Sequence, residues 1–183
     1  MVGLFIGSFN PPTLAHLKIC LKLKKRFSRI FFIPVNTKNK NLVSMHHRIN
    51  MLMIYKRKYP FLDIDNIMEN YSYFDYRILN LLKKKYGNIK IIIGSDTLDN
   101  LDKFDNKDYL LDNYNFIVIE RDISAKNIIM QKYQKYIKHF EIVNYHLDIS
   151  STRARELIKN NKSTKNILDE EIKNYIINNC LYF

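Results

Sequence analysis

The stretch Val2-Gly3-Leu4-Phe5-Ile6-Gly7-Ser8-Phe9-Asn10-Pro11-Pro12-Thr13-Leu14-Ala15-His16 decides how the rest of the chain is read. Val2 to Ile6 is apolar at nearly every position, the pattern of a strand buried on both faces. Gly7-Ser8 ends it, and the paired prolines stiffen the turn that follows. From Leu14 to Phe27, Leu14, Leu17 and Leu21 recur at helical spacing, with Lys24 and Lys25 on a basic back face. A buried strand running through a tight turn into an amphipathic helix is the opening of a βαβ unit.

The alternation continues along the chain. Strands are predicted at Ile30–Ile33, stopped by Pro34, and at Leu62–Ile64, Ile89–Ile93, Phe116–Ile119 and Phe140–Val143. Ile91-Ile92-Ile93 is apolar on both faces, as a central parallel strand must be. Helices are predicted over Met45–Lys58, with Ser44 as cap, and over Phe74–Tyr86, closed by Gly87. From Ser151 onward two more follow, about Thr152–Asn160 and Asp169–Asn179. This order predicts an α/β protein with a Rossmann-like open parallel sheet and helices on both faces. A small C-terminal helical segment, about 151–183, completes a single domain over 1–183. No linker divides the chain. Lys38–Asn41 and Asp99–Asp108 are expected to be its most mobile loops.

Composition narrows the classes. The 183 residues are 46% hydrophobic, with 4 Gly and 4 Pro, which excludes bulk disorder and collagen-like chains. Cys20 and Cys180 form no CxxC pair and have no His/Cys cluster beside them, so lone buried thiols and no metal site are expected. No signal peptide fits, and no run approaches a membrane span, so a cytoplasmic protein is expected. Thirty Lys+Arg against 18 Asp+Glu give a net charge of +12, which invites a polyanion reading. However, Lys, Asn, Ile and Tyr have AT-rich codons, and lysine is spread over every helix without an RNP-like or helix-turn-helix pattern. Neither a nucleic-acid nor a membrane partner is expected.

Three clusters carry chemistry. In Gly7–His16, Gly7 permits close backbone approach, Thr13 can cap the helix, and His16 falls on the same face one turn in. The free N–H groups of that turn favour an anion. There is no GxGxxG and no GKS or GKT, so neither the dinucleotide fingerprint nor the P-loop applies. In Ile149–Arg155, three hydroxyls open a helix and two arginines follow within a turn, a phosphate clamp or an ordinary cap. In Gly94-Ser95-Asp96, a strand-end carboxylate can accept from a ribose or base, or simply form the turn.

Taken together, Asn10-Pro11-Pro12-Thr13-x-x-His16 resembles the signature of nucleotidyltransferases with an H/T-x-G-H motif. Thr13 stands at its first position and His16 at its last. Ala15 replaces the usual Gly, and Asn10 stands where many bacterial members have Asp. The Ile149–Arg155 segment is similar to that superfamily's I-S-S-T-x-x-R motif, with Ser151, Thr152 and Arg155 in the phosphate-gripping places. Gly94-x-Asp96 followed eight residues later by Phe104 resembles the nicotinate/nicotinamide mononucleotide adenylyltransferases, whose aromatic there is usually Trp. Ser44–Arg48 resembles their S-A-E-H-R segment. Ser72-Tyr73 resembles the start of their S-Y-T segment, with Phe74 for Thr. The tail Tyr175-Ile176 and Leu181-Tyr182 resembles their Y-I and L-Y.

The resemblance implies adenylyl transfer from ATP to nicotinate (or nicotinamide) mononucleotide, giving the dinucleotide and pyrophosphate, with Mg²⁺ carried on ATP. It implies catalytic roles for His16, Thr13 and Arg155. ATP would meet Gly7, Ser8, Phe9, Asn10, His16, Asp96, Ser151, Thr152 and Arg155. The mononucleotide would meet Lys40 (or Lys38), Arg48, Tyr73, Phe74, Phe104 and Arg121. The attacking phosphate is already anionic, so positioning and charge stabilisation suffice without a general base. Phosphopantetheine adenylyltransferase is the nearest alternative, opposed by the Gly94–Phe104 segment; a cytidylyltransferase is a further one. Partnership with a second copy, as a homo-oligomer, is left open.

Overall fold

A computed structural model describes residues 1–36, 41–72, 74–120, 124–145 and 148–183. Six strands form one parallel sheet: β1 (Val2–Gly7), β2 (Arg29–Pro34), β3 (Leu62–Ile64), β4 (Ile89–Gly94), β5 (Phe116–Glu120) and β6 (Phe140–Asn144). Their spatial order is β3-β2-β1-β4-β5-β6. The order reverses between β1 and β4, and ligands of such sheets bind beyond the carboxyl ends at that reversal. Gly7 and Gly94 end those two strands.

Strand periodicity divides the core in two. Leu4 and Ile6 of β1, with Ile91 and Ile93 of β4, face one layer; Phe5 and Ile92 face the other. The first layer is covered by α3 (Tyr76–Tyr86), α4 (Ser95–Asp99), α5 (Lys107–Asn113) and α6 (Ala125–Lys132). The second is covered by α1 (Leu14–Leu23), α2 (Met45–Lys58), α7 (Ser151–Lys159) and α8 (Glu170–Asn178). The doubly wound, Rossmann-like architecture is therefore as expected, and the C-terminal helices belong to the α1–α2 face.

Several boundaries moved for local reasons. Asp75 caps α3, its Oδ1 accepting from the N–H groups of Arg77 (2.9 Å) and Ile78 (3.3 Å), so Phe74 lies outside the helix. Ser150 caps α7 by accepting from Arg153 N–H at 3.1 Å, which makes Ser151 its first residue. The span 99–108, expected as a mobile loop, contains the end of α4, a 3₁₀ turn (Leu101–Lys103) and the start of α5. Leu98, Leu101, Leu110 and Leu111 are buried there and hold the Asp/Asn-rich segment on the sheet. Of the other expected loop, 38–41, only Asn41 lies within the described residues.

Lysine is not evenly spread. Lys22 with Lys24–Arg26, Lys56–Lys58 and Lys83–Lys85 stand at the ends of α1, α2 and α3. Those helices run antiparallel to the strands, so their basic ends gather at the amino edge of the sheet, where they also complement the helix dipoles. Among the described residues no helix is long and apolar enough to cross a membrane. Cys20 is a buried free thiol as expected, but Cys180 is exposed, because it sits in the left-handed turn that ends the last helix.

Candidate active site

The turn after β1 is built around Phe9. Its backbone is left-handed (φ 48°), and its ring folds back over Gly7. A Cβ at Gly7 would lie 3.1 Å from that ring. The ring meets Phe5, Phe32 and His16 at centroid distances of 5.5, 5.2 and 5.1 Å and is almost fully buried. Gly7 was expected to admit a ligand; it admits the Phe9 ring instead. Only the backbone of Phe9 is left to serve an anion.

Thr13 and His16 form one unit at the start of α1. The backbone N–H of Thr13 and its hydroxyl both lie 2.9 Å from His16 Nδ1. His16 thus plays the part in a capping box that Glu or Gln usually plays. Because Nδ1 accepts, the ring's proton sits on Nε2, the atom able to donate to a phosphate oxygen. The methyl of Ala15 is buried and does not stand in the cleft.

The second cluster docks onto the first. Ser151 Oγ donates to the carbonyl of Pro11 at 2.8 Å, and Arg155 Nη1 to the carbonyl of Asn10 at 2.7 Å. Arg155 Nη2 lies 3.3 Å from the exposed Thr152 hydroxyl. Residues 140 and 145 apart in sequence thereby place two hydroxyls and a guanidinium beside the helix start that carries Thr13 and His16. Asn10 is buried at the junction: Val43 N–H (3.2 Å) and Tyr182 O–H (2.8 Å) donate to its Oδ1.

At the end of β4, Gly94 leaves room for its neighbour. A Cβ there would lie 2.4 Å from Asp96 Oδ1, so the carboxylate curls back over the strand end. Beside it, Phe74 and Phe104 line one small apolar cavity of about 30 Å³ with Ile6, Thr97 and Leu101. Two aromatics thirty positions apart thus share one wall next to the switch point. Among the described residues no cluster of three or more His, Cys, Asp or Glu side chains forms. The donors gathered here are N–H, hydroxyl and guanidinium groups, which suit phosphate oxygens; a divalent ion would enter with them.

Comparison with known proteins accords with this layout. A family model described as cytidylyltransferase-like matches residues 4–157. The chain belongs to that family. It is a nucleotidyltransferase. It is similar to probable nicotinate-nucleotide adenylyltransferases of Endomicrobium trichonymphae (32% identity; 99% of this chain, 98% of the relative) and Acholeplasma laidlawii (28%; 100% and 97%). It is also similar to the nicotinate-nucleotide adenylyltransferase of Bacillus subtilis (28%; 99% and 97%). Its fold is that of the Plasmodium falciparum nicotinic acid mononucleotide adenylyltransferase complexed with NaAD, with a TM-score of 0.82 at 24% identity over 99% of this chain and 96% of that one. Nucleotidyltransferases of this kind use a divalent metal with ATP.

Not every residue singled out in the sequence of this nucleotidyltransferase faces the cleft. Arg48 was expected to meet ligand phosphate, but only 1% of it is exposed. Its Nη1 donates to the carbonyls of Ser8 (2.9 Å) and Val35 (2.8 Å), its Nε to that of Val43 (3.2 Å), and its Nη2 to Asn36 Oδ1 (2.5 Å). With four of five N–H groups engaged, Arg48 holds the loops around the turn rather than a ligand. Lys38, Lys40, Tyr73 and Arg121 lie outside the described residues. Sequence reading missed the roles of Asn36 and Thr97, and gave Tyr182 no role. Asn36 meets Arg48 and Tyr182 meets Asn10 across the fold, and Thr97 shows its place only as a cavity wall, so no local pattern marks them; for Tyr182 the tail similarity was the available signal.

Proposed function

We propose that this chain transfers the adenylyl group of ATP to nicotinate mononucleotide, forming the dinucleotide and pyrophosphate. An oxygen of the mononucleotide's 5′-phosphate forms a bond to the α-phosphorus as the bond to the β-phosphate bridging oxygen breaks, and pyrophosphate carries away the negative charge. The observation that supports this most is the docking of Ser151 and Arg155 on the Asn10-Pro11 turn beside Thr13 and His16. It gathers phosphate donors at one strand end, while the Phe74–Phe104 wall offers an aromatic surface at the next.

Each group then has a task. His16 Nε2–H donates to the α-phosphate as charge develops there. The backbone of Ser8, Phe9 and Asn10 lines the triphosphate, and Thr13, fully buried, serves it by holding His16 Nδ1. Ser151, Thr152 and Arg155 hold the β- and γ-phosphates and the departing pyrophosphate. Asp96 accepts from the nucleoside, and Phe104 stacks on the pyridine ring. Carried on the triphosphate that Ser151, Thr152 and Arg155 hold, Mg²⁺ would supply further positive charge there. The proposal takes residues 1–183 as one domain and places the reaction in the cytoplasm, with ATP and mononucleotide as partners. Nicotinate is chosen over nicotinamide because the curated relatives carry that name.

A pyrophosphate-release assay tests the proposal, with ATP and nicotinate or nicotinamide mononucleotide in parallel. Release is expected with the nicotinate form. No release with either form, or release only with 4′-phosphopantetheine or only with CTP as donor, overturns it.

A further inference from the structure

The turn that carries the site is held from the far end of the chain. The chain leaves α8 in a Schellman arrangement: Leu181 N–H donates to the Ile176 carbonyl (3.0 Å) and Cys180 N–H to that of Ile177 (3.1 Å). Cys180 occupies the left-handed position (φ 49°) where Gly is usual. Leu181 and Ile176 are buried in the same core cluster, the apolar contact that accompanies this motif. The reversal brings Tyr182 back to the turn after β1, where its O–H donates to Asn10 Oδ1 at 2.8 Å. Burial raises the Tyr182 pKa, against the opposing pull of Arg155 and Arg48, so the hydroxyl keeps its proton at any working pH.

Asn10 passes this contact on. Its carbonyl accepts from Arg155 Nη1 (2.7 Å), and its side chain ties the turn to Val43 and, at 3.4 Å, to the carbonyl of Asn41. We infer that Tyr182 is a positioning residue for nucleotidyl transfer: its hydroxyl fixes Asn10, and Asn10 fixes Arg155 and the approach to Thr13 and His16. This deepens, and rests on, the adenylyl-transfer reading. Tyr182 acts through Asn10 rather than on the substrates.

Tyr182→Phe tests it by removing one hydroxyl and keeping the ring. Asn10 Oδ1 retains Val43 N–H, so no buried acceptor is orphaned and the thermal midpoint should stay within about 2 °C. The kcat should fall roughly 5- to 10-fold, the scale of one hydrogen bond, with both KM values within about 2-fold. In an Asn10→Ala background the same change should cost nothing more. Should Asn10→Ala fail to fold, Asn10→Asp keeps the acceptor, and there Tyr182→Phe should cost as much as in the wild type. Amide exchange over residues 8–16 and 41–48 should quicken in Tyr182→Phe while α3 to α5 stay unchanged, a measurement that needs no catalysis. Unchanged kcat and unchanged exchange overturn the inference, as does a kcat loss that multiplies in full with Asn10→Ala. If the wild type itself releases no pyrophosphate, the reaction reading fails and the exchange measurement alone decides Tyr182.

Discussion

His16 Nδ1 accepts the backbone N–H of Thr13 at 2.9 Å, so one side chain both closes the first turn of α1 and presents an Nε2–H donor. The two duties can be separated. His16→Ala should cut turnover by about 10²-fold or more, the scale of losing a transition-state donor. His16→Gln restores an ordinary capping-box partner without the imidazole donor, so it should melt like the wild type and still be slow. Steady-state kinetics with thermal melting checks both; a fast His16→Gln would show that the ring serves only the helix.

Phe104 lines the same small apolar cavity as Phe74, and none of Thr13, His16, Ser151 and Arg155 lines it. Phe104→Ala should weaken mononucleotide binding several-fold, roughly 1 kcal/mol, and leave ATP binding nearly unchanged. Calorimetric titration of each ligand decides, and equal losses would count against stacking.

At Gly94 the expected outcome is functional rather than structural. A methyl there displaces only the tip of the Asp96 side chain, and the backbone (φ −81°) suits alanine. Gly94→Ala should therefore fold normally. Its KM for ATP should rise to about that of Asp96→Ala, because both remove the carboxylate from the strand end. A wild-type KM in Gly94→Ala would dismiss the carboxylate's role.

Arg48→Ala should cost about 3 kcal/mol or more in chemical denaturation, because it strips donors from the carbonyls of Ser8, Val35 and Val43. Burial also lowers the guanidinium's pKa from its usual value, a sign of how dry its site is. A fold of wild-type stability with weakened ligand binding would instead restore a phosphate-contacting role.

Glu141 on β6 accepts from Arg26 and, at 2.9 Å, from Lys90, and the Arg26 contact leads in drawing its pKa down to about 2 from 4.5. A depressed carboxylate stabilises the fold fully above about pH 4.5 and loses that contribution as pH falls toward 2. All three side chains are partly exposed, so screening reduces the effect to about 1 kcal/mol. Denaturation of Glu141→Gln and wild type should differ near neutral pH and converge in acid; a pH-independent gap would refute the assignment.

The sheet and its long helices were legible because Ile91–Ile93 and the Ser44 cap are local signals that agree with the fold; the Leu14–Leu21 stripe marked the helix α1 but not its face, since Leu21 is exposed and Ile19, Cys20 and Leu23 are buried instead. The segment 95–113 was not: Asp99, Asn100, Asp102 and Asp105 read as a loop, and only burial of Leu98 and Leu101 against the sheet makes it helical. In the site, Thr13, His16, Ser151 and Arg155 could be recognised because their spacing follows helix starts. Phe9 and Arg48 could not be placed correctly, since whether a side chain turns inward depends on neighbours such as Phe32 and Val35 that no nearby position announces. The docking of Arg155 on Asn10 spans 145 positions and was invisible for the same reason.

The lysine-rich ends of α1, α2 and α3 lie at the opposite edge of the sheet from Gly7 and Gly94. On an anionic resin the molecule should therefore settle on its amino edge with the candidate site turned outward. The excess charge gives the enzyme a preferred orientation on a charged support, one that leaves substrate access unobstructed.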